Sequence, residues 1–261
     1  EQVKQALRDD RLLLSFQPIV SSETQEPAFY ECLLRMKQPD GEIVAAGKFM
    51  PVVEELGLVR LIDRRVLDLS VQVLRDYPDA KLAVNVSGLT AGDRSWLRHV
   101  VGVLRNERQL AQRLTIEITE TAGLEDVEAC AKFVSVLKDL GCRVALDDFG
   151  AGYTSFRHLK TLSVDMVKID GSFVQDLTDN PANLIFIRSL LDLARNFNLE
   201  TVAECIEVIE QADMLRDEGV GFLQGWAFGR PSLEPPWEAP MPVSLPPVCL
   251  ISEPAVRRVA R

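Results

Sequence analysis

Eight short apolar or alternating segments recur along the chain, at 12–20, 28–36, 81–86, 113–118, 143–147, 164–169, 199–203 and 219–224. Seven carry a polar residue at or near the carboxyl end: Glu31, Asn85, Glu117, Asp147 with Asp148, Lys168, Glu204 and Gln224. Segments of this length read as strands, and the stretches between most of them step three, four, three in apolar residues, as in Cys130, Phe133, Leu137 and Leu140 or Leu184, Ile187, Leu191 and Ala194. That stepping is one stripe of a helix packed on a sheet. Gly141 ends the first stripe and 179–181 supplies a turn and helix start for the second. Strands alternating with helices predict a parallel α/β architecture, and the short link 21–27 makes the first two strands an antiparallel hairpin. At 261 residues one barrel of about 250 residues is a common solution, although length alone also admits two small domains.

If the sheet closes, the carboxyl ends of its strands meet on one face, where barrel enzymes place their chemistry. Alternation along a strand then sorts the side chains. Leu114, Ile116 and Ile118 share one face and Thr115 and Glu117 the other, so Glu117 points into the barrel mouth; Glu31 and Arg35 share a face, opposite Cys32. Carboxylates crowded in such a mouth repel and raise one another's pKa unless positive charge offsets them. Carboxylate and amide oxygens without convergent His or Cys are hard ligands that favour Mg²⁺ or Mn²⁺ over Zn²⁺ or copper, and adjacent Asp147 and Asp148 suggest a bridged two-metal site. His99 and His158 carry no metal spacing.

A net charge of −10 argues against a protein whose affinity rests on neutralising a nucleic-acid backbone, but leaves room for a small anion that recruits cations. Five scattered cysteines with no CxxC pair fit neither a disulfide framework nor a zinc ribbon and point to the cytoplasm. No apolar run reaches the ~20 residues of a membrane span. The chain begins at Glu1 without an initiator Met and reads as a domain cut from a longer, conceivably membrane-anchored protein. From Pro231 the composition turns proline-rich, so the expected organisation is a barrel over 1–233 and a tail over 234–261.

As ordered motifs, Gln17-Pro18-Ile19-Val20, Glu31-Cys32-Leu33-Leu34-Arg35, Asn85-Val86-Ser87, Glu117-Ile118-Thr119-Glu120, Asp147-Asp148-Phe149-Gly150, Lys168-Ile169-Asp170, Ala203-Glu204-Cys205-Ile206-Glu207 and Gln224-Gly225 resemble the EAL family of cyclic di-GMP phosphodiesterases, from about Phe16 to Pro231. The resemblance implies a modified TIM-like (β/α)8 barrel with one antiparallel strand near the N-terminus, and metal-dependent hydrolysis of cyclic di-GMP to linear pGpG. By the same resemblance Glu31, Asn85, Glu117, Asp147, Asp148 and Glu204 hold the metals and Lys168 orients or deprotonates the attacking water. Gln17, Arg35 and Gln224 lie near the dinucleotide, Glu207 is a supporting carboxylate, and Glu120 anchors the loop after Asp148. A homodimer built through that loop and fusion to sensor or synthase domains are further implications.

The sequence departs from the family pattern at Phe29, Cys32, Ala151 and Cys205, none of them a metal ligand. By alternation Cys32 and Cys205 are expected to point away from their neighbouring glutamates. Two other readings remain. A receptor module would bind cyclic di-GMP without forming pGpG, and a Mg²⁺-dependent lyase or enolising barrel would also use strand-end carboxylates with a lysine base but would not explain the ordered motifs.

Overall fold

The computed structural model of the chain describes residues 2–120, 126–151, 156–178 and 180–237. Among these residues nine strands form one sheet: β1 (Leu12–Ser21), β2 (Pro27–Lys37), β3 (Ile43–Ala45), β4 (Leu82–Val86), β5 (Leu114–Thr119), β6 (Arg143–Phe149), β7 (Met166–Ile169), β8 (Glu200–Ala203) and β9 (Phe222–Gln224). The sheet runs β1-β9-β8-β7-β6-β5-β4-β2-β3, and an additional pairing of β1 with β2 closes eight strands into a barrel, leaving β3 as a flap on β2. The hairpin expectation needs one extension. β1 runs antiparallel to β2 and also to β9, because a single reversed strand in a closed barrel opposes both of its neighbours. β3 was not expected; three residues carry too little periodicity to register as a strand.

Among the helices, α1 (Val59–Asp76), α2 (Val127–Leu140), α3 (Pro181–Asn196) and α4 (Ile209–Glu218) have the clearest reasons to form where they do. α2 buries Cys130, Phe133, Val134 and Leu137 and ends at Gly141 with φ 104°, the left-handed backbone a helix C-terminus uses and glycine tolerates best. α3 starts with Asn180 accepting from the Ala182 N–H and with a proline in its first turn, where a missing N–H costs nothing.

The barrel interior is layered. Ile19, Phe29, Ala83, Ala145, Met166 and Val202, with Phe222 packed against them, form an apolar cluster separate from the outer core. Strand side chains repeat every second residue, so two positions further along the parallel strands the same inward face carries Glu31, Asn85, Asp147, Lys168 and Gln224, and Glu204 follows one residue past the end of β8. On β1, which runs the other way, Gln17 lies two positions before Ile19. An apolar floor thus supports a polar ring at the carboxyl ends.

A hairpin between β1 and β2 leaves their outer face without the crossover helix that covers parallel pairs. Beside α1, which contacts β1, the chain's C-terminal segment supplies part of the cover. Ser232 bridges to Phe16, and the Trp237 ring packs 4.9 Å from Phe16, 5.4 Å from Tyr30 and 5.5 Å from Tyr77 between centroids. From residue 238 onward the expected tail lies outside the described residues. None of the described helices is long and apolar enough to cross a membrane, and the described cysteines Cys32, Cys130, Cys142 and Cys205 are free thiols.

Candidate functional site

Lys168 sits at the centre of the polar ring, 1% exposed. Its Nζ lies 2.6 Å from Glu204 Oε1, 2.9 Å from Glu117 Oε2, 3.1 Å from Asp147 Oδ1 and 3.7 Å from Glu31 Oε2. Burial disfavours its charge, but the four carboxylates outweigh burial and hold the ammonium well above the ordinary lysine range. Burial raises Glu117 well above the carboxylate range despite Lys168, and pushes Glu204 up to about 7 against the same pull. One cation faces four carboxylates, so full ionisation leaves three negative charges uncompensated.

Amides brace the ring. Asn85 donates to Glu31 Oε1 at 2.6 Å and Gln224 to Glu31 Oε2 at 2.6 Å. Gln17 accepts a longer bond from Gln224, 3.4 Å. Asp63 on α1 accepts from both the N–H and the hydroxyl of Ser87, at 3.0 and 2.8 Å, fixing the turn that follows Asn85. Sequence reading missed Asp63, although an acidic residue inside the buried stripe Val59, Ile62, Val66 and Leu67 was a visible signal, since such a group must find partners.

Adjacent residues on a regular strand face opposite ways, yet the carboxylates of Asp147, Asp148 and Glu204 offer oxygens that all lie within 4.8 Å of one another. The reason is local. β6 shifts register against β7 between Leu146 and Phe149, and Asp148 takes φ 56°, a bulge-like break that re-aims a side chain. Asp148 has a raised pKa, from burial first and then from Asp147's charge. Beyond it, the Gly150 N–H donates to Glu120 at 2.9 Å; the rest of the expected loop, 152–155, lies outside the described residues.

A cavity of about 400 Å³ opens over the ring, lined by Gln17, Glu31, Asp147, Lys168, Gln175, Glu204, Cys205, Glu207, Gln224, Gly225 and Trp226. A second cavity of about 370 Å³, lined by Lys138, Arg143 and Glu200 among others, lies at the opposite, amino-terminal ends of the strands, away from these groups. Two expectations change. Cys205 lines the first cavity instead of pointing away from it, because β8 ends at Ala203 and strand alternation no longer applies to a residue with φ 56°. Arg35 shares a face with Glu31 but does not line that cavity; its guanidinium donates to the Leu34 carbonyl at 2.9 Å, two ladder steps beyond Glu31.

The donor set suits a divalent cation. It is all oxygen, and buried Glu117 Oε1 and Asp147 Oδ1 have no hydrogen-bond partner, the latter touching Lys168 as an ion pair outside hydrogen-bonding geometry. Buried carboxylate oxygens left this way are costly unless a cation meets them.

A family model described as "EAL domain" matches residues 1–231. The chain is 34% identical over 233 residues to the probable cyclic di-GMP phosphodiesterase PdeA of Escherichia coli, covering 88% of this chain and 32% of that protein. Among solved structures, the PaMucR phosphodiesterase in complex with c-di-GMP superposes with a TM-score of 0.81 at 30% identity, covering 88% of this chain and 96% of that one. The FimX EAL domain of Pseudomonas aeruginosa bound to c-di-GMP gives 0.82 at 29% identity, covering 89% and 95%. The chain therefore spans about a third of the length of curated relatives such as PdeA.

Proposed function

Because the chain belongs to the EAL domain family, we propose that it hydrolyses cyclic di-GMP to linear pGpG with Mg²⁺ or Mn²⁺ as cofactor. The observation that carries this reading is the buried ring in which one lysine faces four carboxylates under a solvent-open cavity, a charge surplus that calls for cations and, through them, an anionic substrate.

Glu31, Asn85, Glu117, Asp147, Asp148 and Glu204 would hold two divalent cations. When bound, these would supply the charge that stabilises the developing phosphoryl oxyanion and eases deprotonation of water. The chain's own residues do the rest. Lys168, held as the ammonium by the carboxylates, donates from Nζ and orients the attacking water; to take the water's proton instead, it would first have to release its own to solvent as cations engage those carboxylates. Attack of the water oxygen on phosphorus in line with the P–O3′ bond breaks one ring ester, and the leaving ribose oxygen takes a proton from solvent. No covalent enzyme intermediate is invoked, because among the described residues the one Ser, Cys or His lining the cavity is Cys205, whose pKa is raised by burial and then by Glu204, which disfavours the nucleophilic thiolate. Gln17 and Gln224 bind the substrate's polar edges; Gln224 Oε1 is buried without a partner. Glu207 supports the site from the cavity wall, Arg35 meets phosphate by its planar fork of donors at the outer end of β2, and Glu120 anchors the loop after Asp148.

Around that loop we place a homodimer interface. Ile185 and Phe186 on α3 are 65% and 37% exposed, and a Cβ on Gly150 would lie 3.1 Å from the Phe186 ring, so the patch and the metal-proximal turn are in contact. Sensor or synthase domains in the remainder of a longer protein and a cytoplasmic location complete the proposal, with no nucleic-acid polymer as partner.

The test is incubation of purified protein with cyclic di-GMP and Mg²⁺ or Mn²⁺, products resolved chromatographically, beside Glu31→Ala. Metal-dependent pGpG that disappears in the variant supports the reading. Tight binding without pGpG makes the domain a receptor.

A further inference from the structure

We propose that Trp226 is a stacking platform for one guanine base of the substrate, held in place by Arg230; this rests on the cyclic di-GMP reading above. Of the three tryptophans, Trp96 is 2% exposed while Trp226 is 56% exposed, and Trp226 borders the cavity above the carboxylate ring. The Arg230 guanidinium sits 4.1 Å from the Trp226 ring centroid, so one face of the indole is covered by a cation and the ring's remaining surface borders the cavity.

The turn that presents Trp226 is rigid. Phe228 and Gly229 N–H groups both donate to the Gly225 carbonyl, at 3.1 and 3.2 Å, and Ala227 donates to Ile206 at 3.1 Å. A Cβ on Gly225 would collide with the Ile206 backbone, and one on Gly229 would come within 2.8 Å of Pro18, so both positions need glycine for close approach. Gln17 Nε2 donates to the Gly229 carbonyl at 3.3 Å, tying the turn to the ring itself. A large indole left 56% exposed on such a turn is not accounted for by core packing; a flat apolar partner would cover it, and a purine offers one. The braced cation strengthens the platform by cation–π attraction and adds positive charge beside an otherwise acidic cavity, which suits a ligand that is both aromatic and anionic.

Base–aromatic stacking removed by alanine weakens binding about tenfold to a hundredfold. Steady-state hydrolysis of cyclic di-GMP should therefore show KM raised by about that factor in Trp226→Ala, with kcat changed far less, and most of the loss recovered in Trp226→Phe. In parallel, cyclic di-GMP should quench tryptophan emission in the wild type and not in Trp226→Phe. Wild-type turnover with an unchanged KM in Trp226→Ala overturns the platform and leaves the phosphodiesterase reading standing. Quenching at Trp226 without turnover keeps the platform and overturns hydrolysis. Neither quenching nor turnover overturns both.

Discussion

Lys168 Nζ and Glu204 Oε1 lie 2.6 Å apart at the centre of a site that holds three further carboxylates. The lysine is thus the counter-ion that lets these acids coexist in the metal-free protein. Lys168→Met leaves them buried without a counter-ion, although Glu31 keeps its bonds from Asn85 and Gln224, and breaking a buried pair in this way costs about 3–5 kcal/mol. Denaturant melts in a chelator should show that loss. Added Mn²⁺ should stabilise the variant more than the wild type, because the metal then replaces the missing charge, while pGpG formation is lost. A variant as stable as the wild type in chelator would mean that the carboxylates are protonated and Lys168 is not their counter-ion.

Asp63 gives a pH prediction. Burial raises its pKa, and the bonds from Thr90 and Ser87 only partly oppose this. An acid whose folded pKa lies above its unfolded value binds more protons when folded, so its contribution to stability is fully present below the unfolded value and is lost as pH rises through the folded one. The stability advantage of wild type over Asp63→Asn should therefore shrink as pH rises from about 4, near the ordinary aspartate value, toward neutrality. Guanidinium melts of both proteins across that range measure it. An advantage that grows with pH would show that the Ser87 bonds, not burial, dominate.

What could be read from the chain followed from period and charge. Polar residues at the carboxyl ends of successive strands were expected to converge on one barrel face, with alternation turning Glu117 inward, and the structure brings Glu31, Asn85, Glu117, Asp147, Lys168 and Gln224 together there. Helix stripes and the Gly141 stop were equally visible. Failures came where periodicity stops. Cys205 follows the end of β8 with a left-handed backbone, so alternation misplaced it. Arg35 obeys alternation but stands two further ladder steps along β2, and alternation says nothing of distance. Trp237 lies in a proline-rich stretch whose composition suggests a tail, and its packing on the hairpin depends on a tertiary gap that no local pattern records.

That gap makes Trp237 testable. Its ring meets Phe16, Tyr30 and Tyr77 at the outer face of the β1–β2 hairpin, whose two strands no crossover helix joins. Deleting a packed aromatic ring typically costs about 3–5 kcal/mol, and a partly exposed one less. Trp237→Ala, and equally a chain stopped at 233, should unfold at lower denaturant by about 2 kcal/mol or more, with little change in metal dependence, since the ring lies outside the barrel and the site inside it. A melt identical to that of the full chain would show that the hairpin face needs no cover.

Cys205 and Gly171 make a matched pair. A Cβ on Gly171 would come within 2.6 Å of the Cys205 Cβ and closer still to its sulfur, so position 171 must stay glycine while 205 carries a side chain. Gly171→Ala should destabilise by about 1–3 kcal/mol, the cost of overpacking. Cys205→Gly removes both the obstruction and the side chain from a residue at φ 56°, where a non-glycine residue costs about 1–2 kcal/mol; the greater freedom glycine gives the unfolded chain offsets part of that gain. The single variant is then near neutral or mildly stabilising. The decisive measurement is the double variant. If the collision is the cause, Gly171→Ala in the Cys205→Gly background should cost much less than it does alone, a non-additivity of 1 kcal/mol or so that residues in contact commonly show. Equal costs in both backgrounds would mean that position 171 needs glycine for some reason other than the thiol beside it.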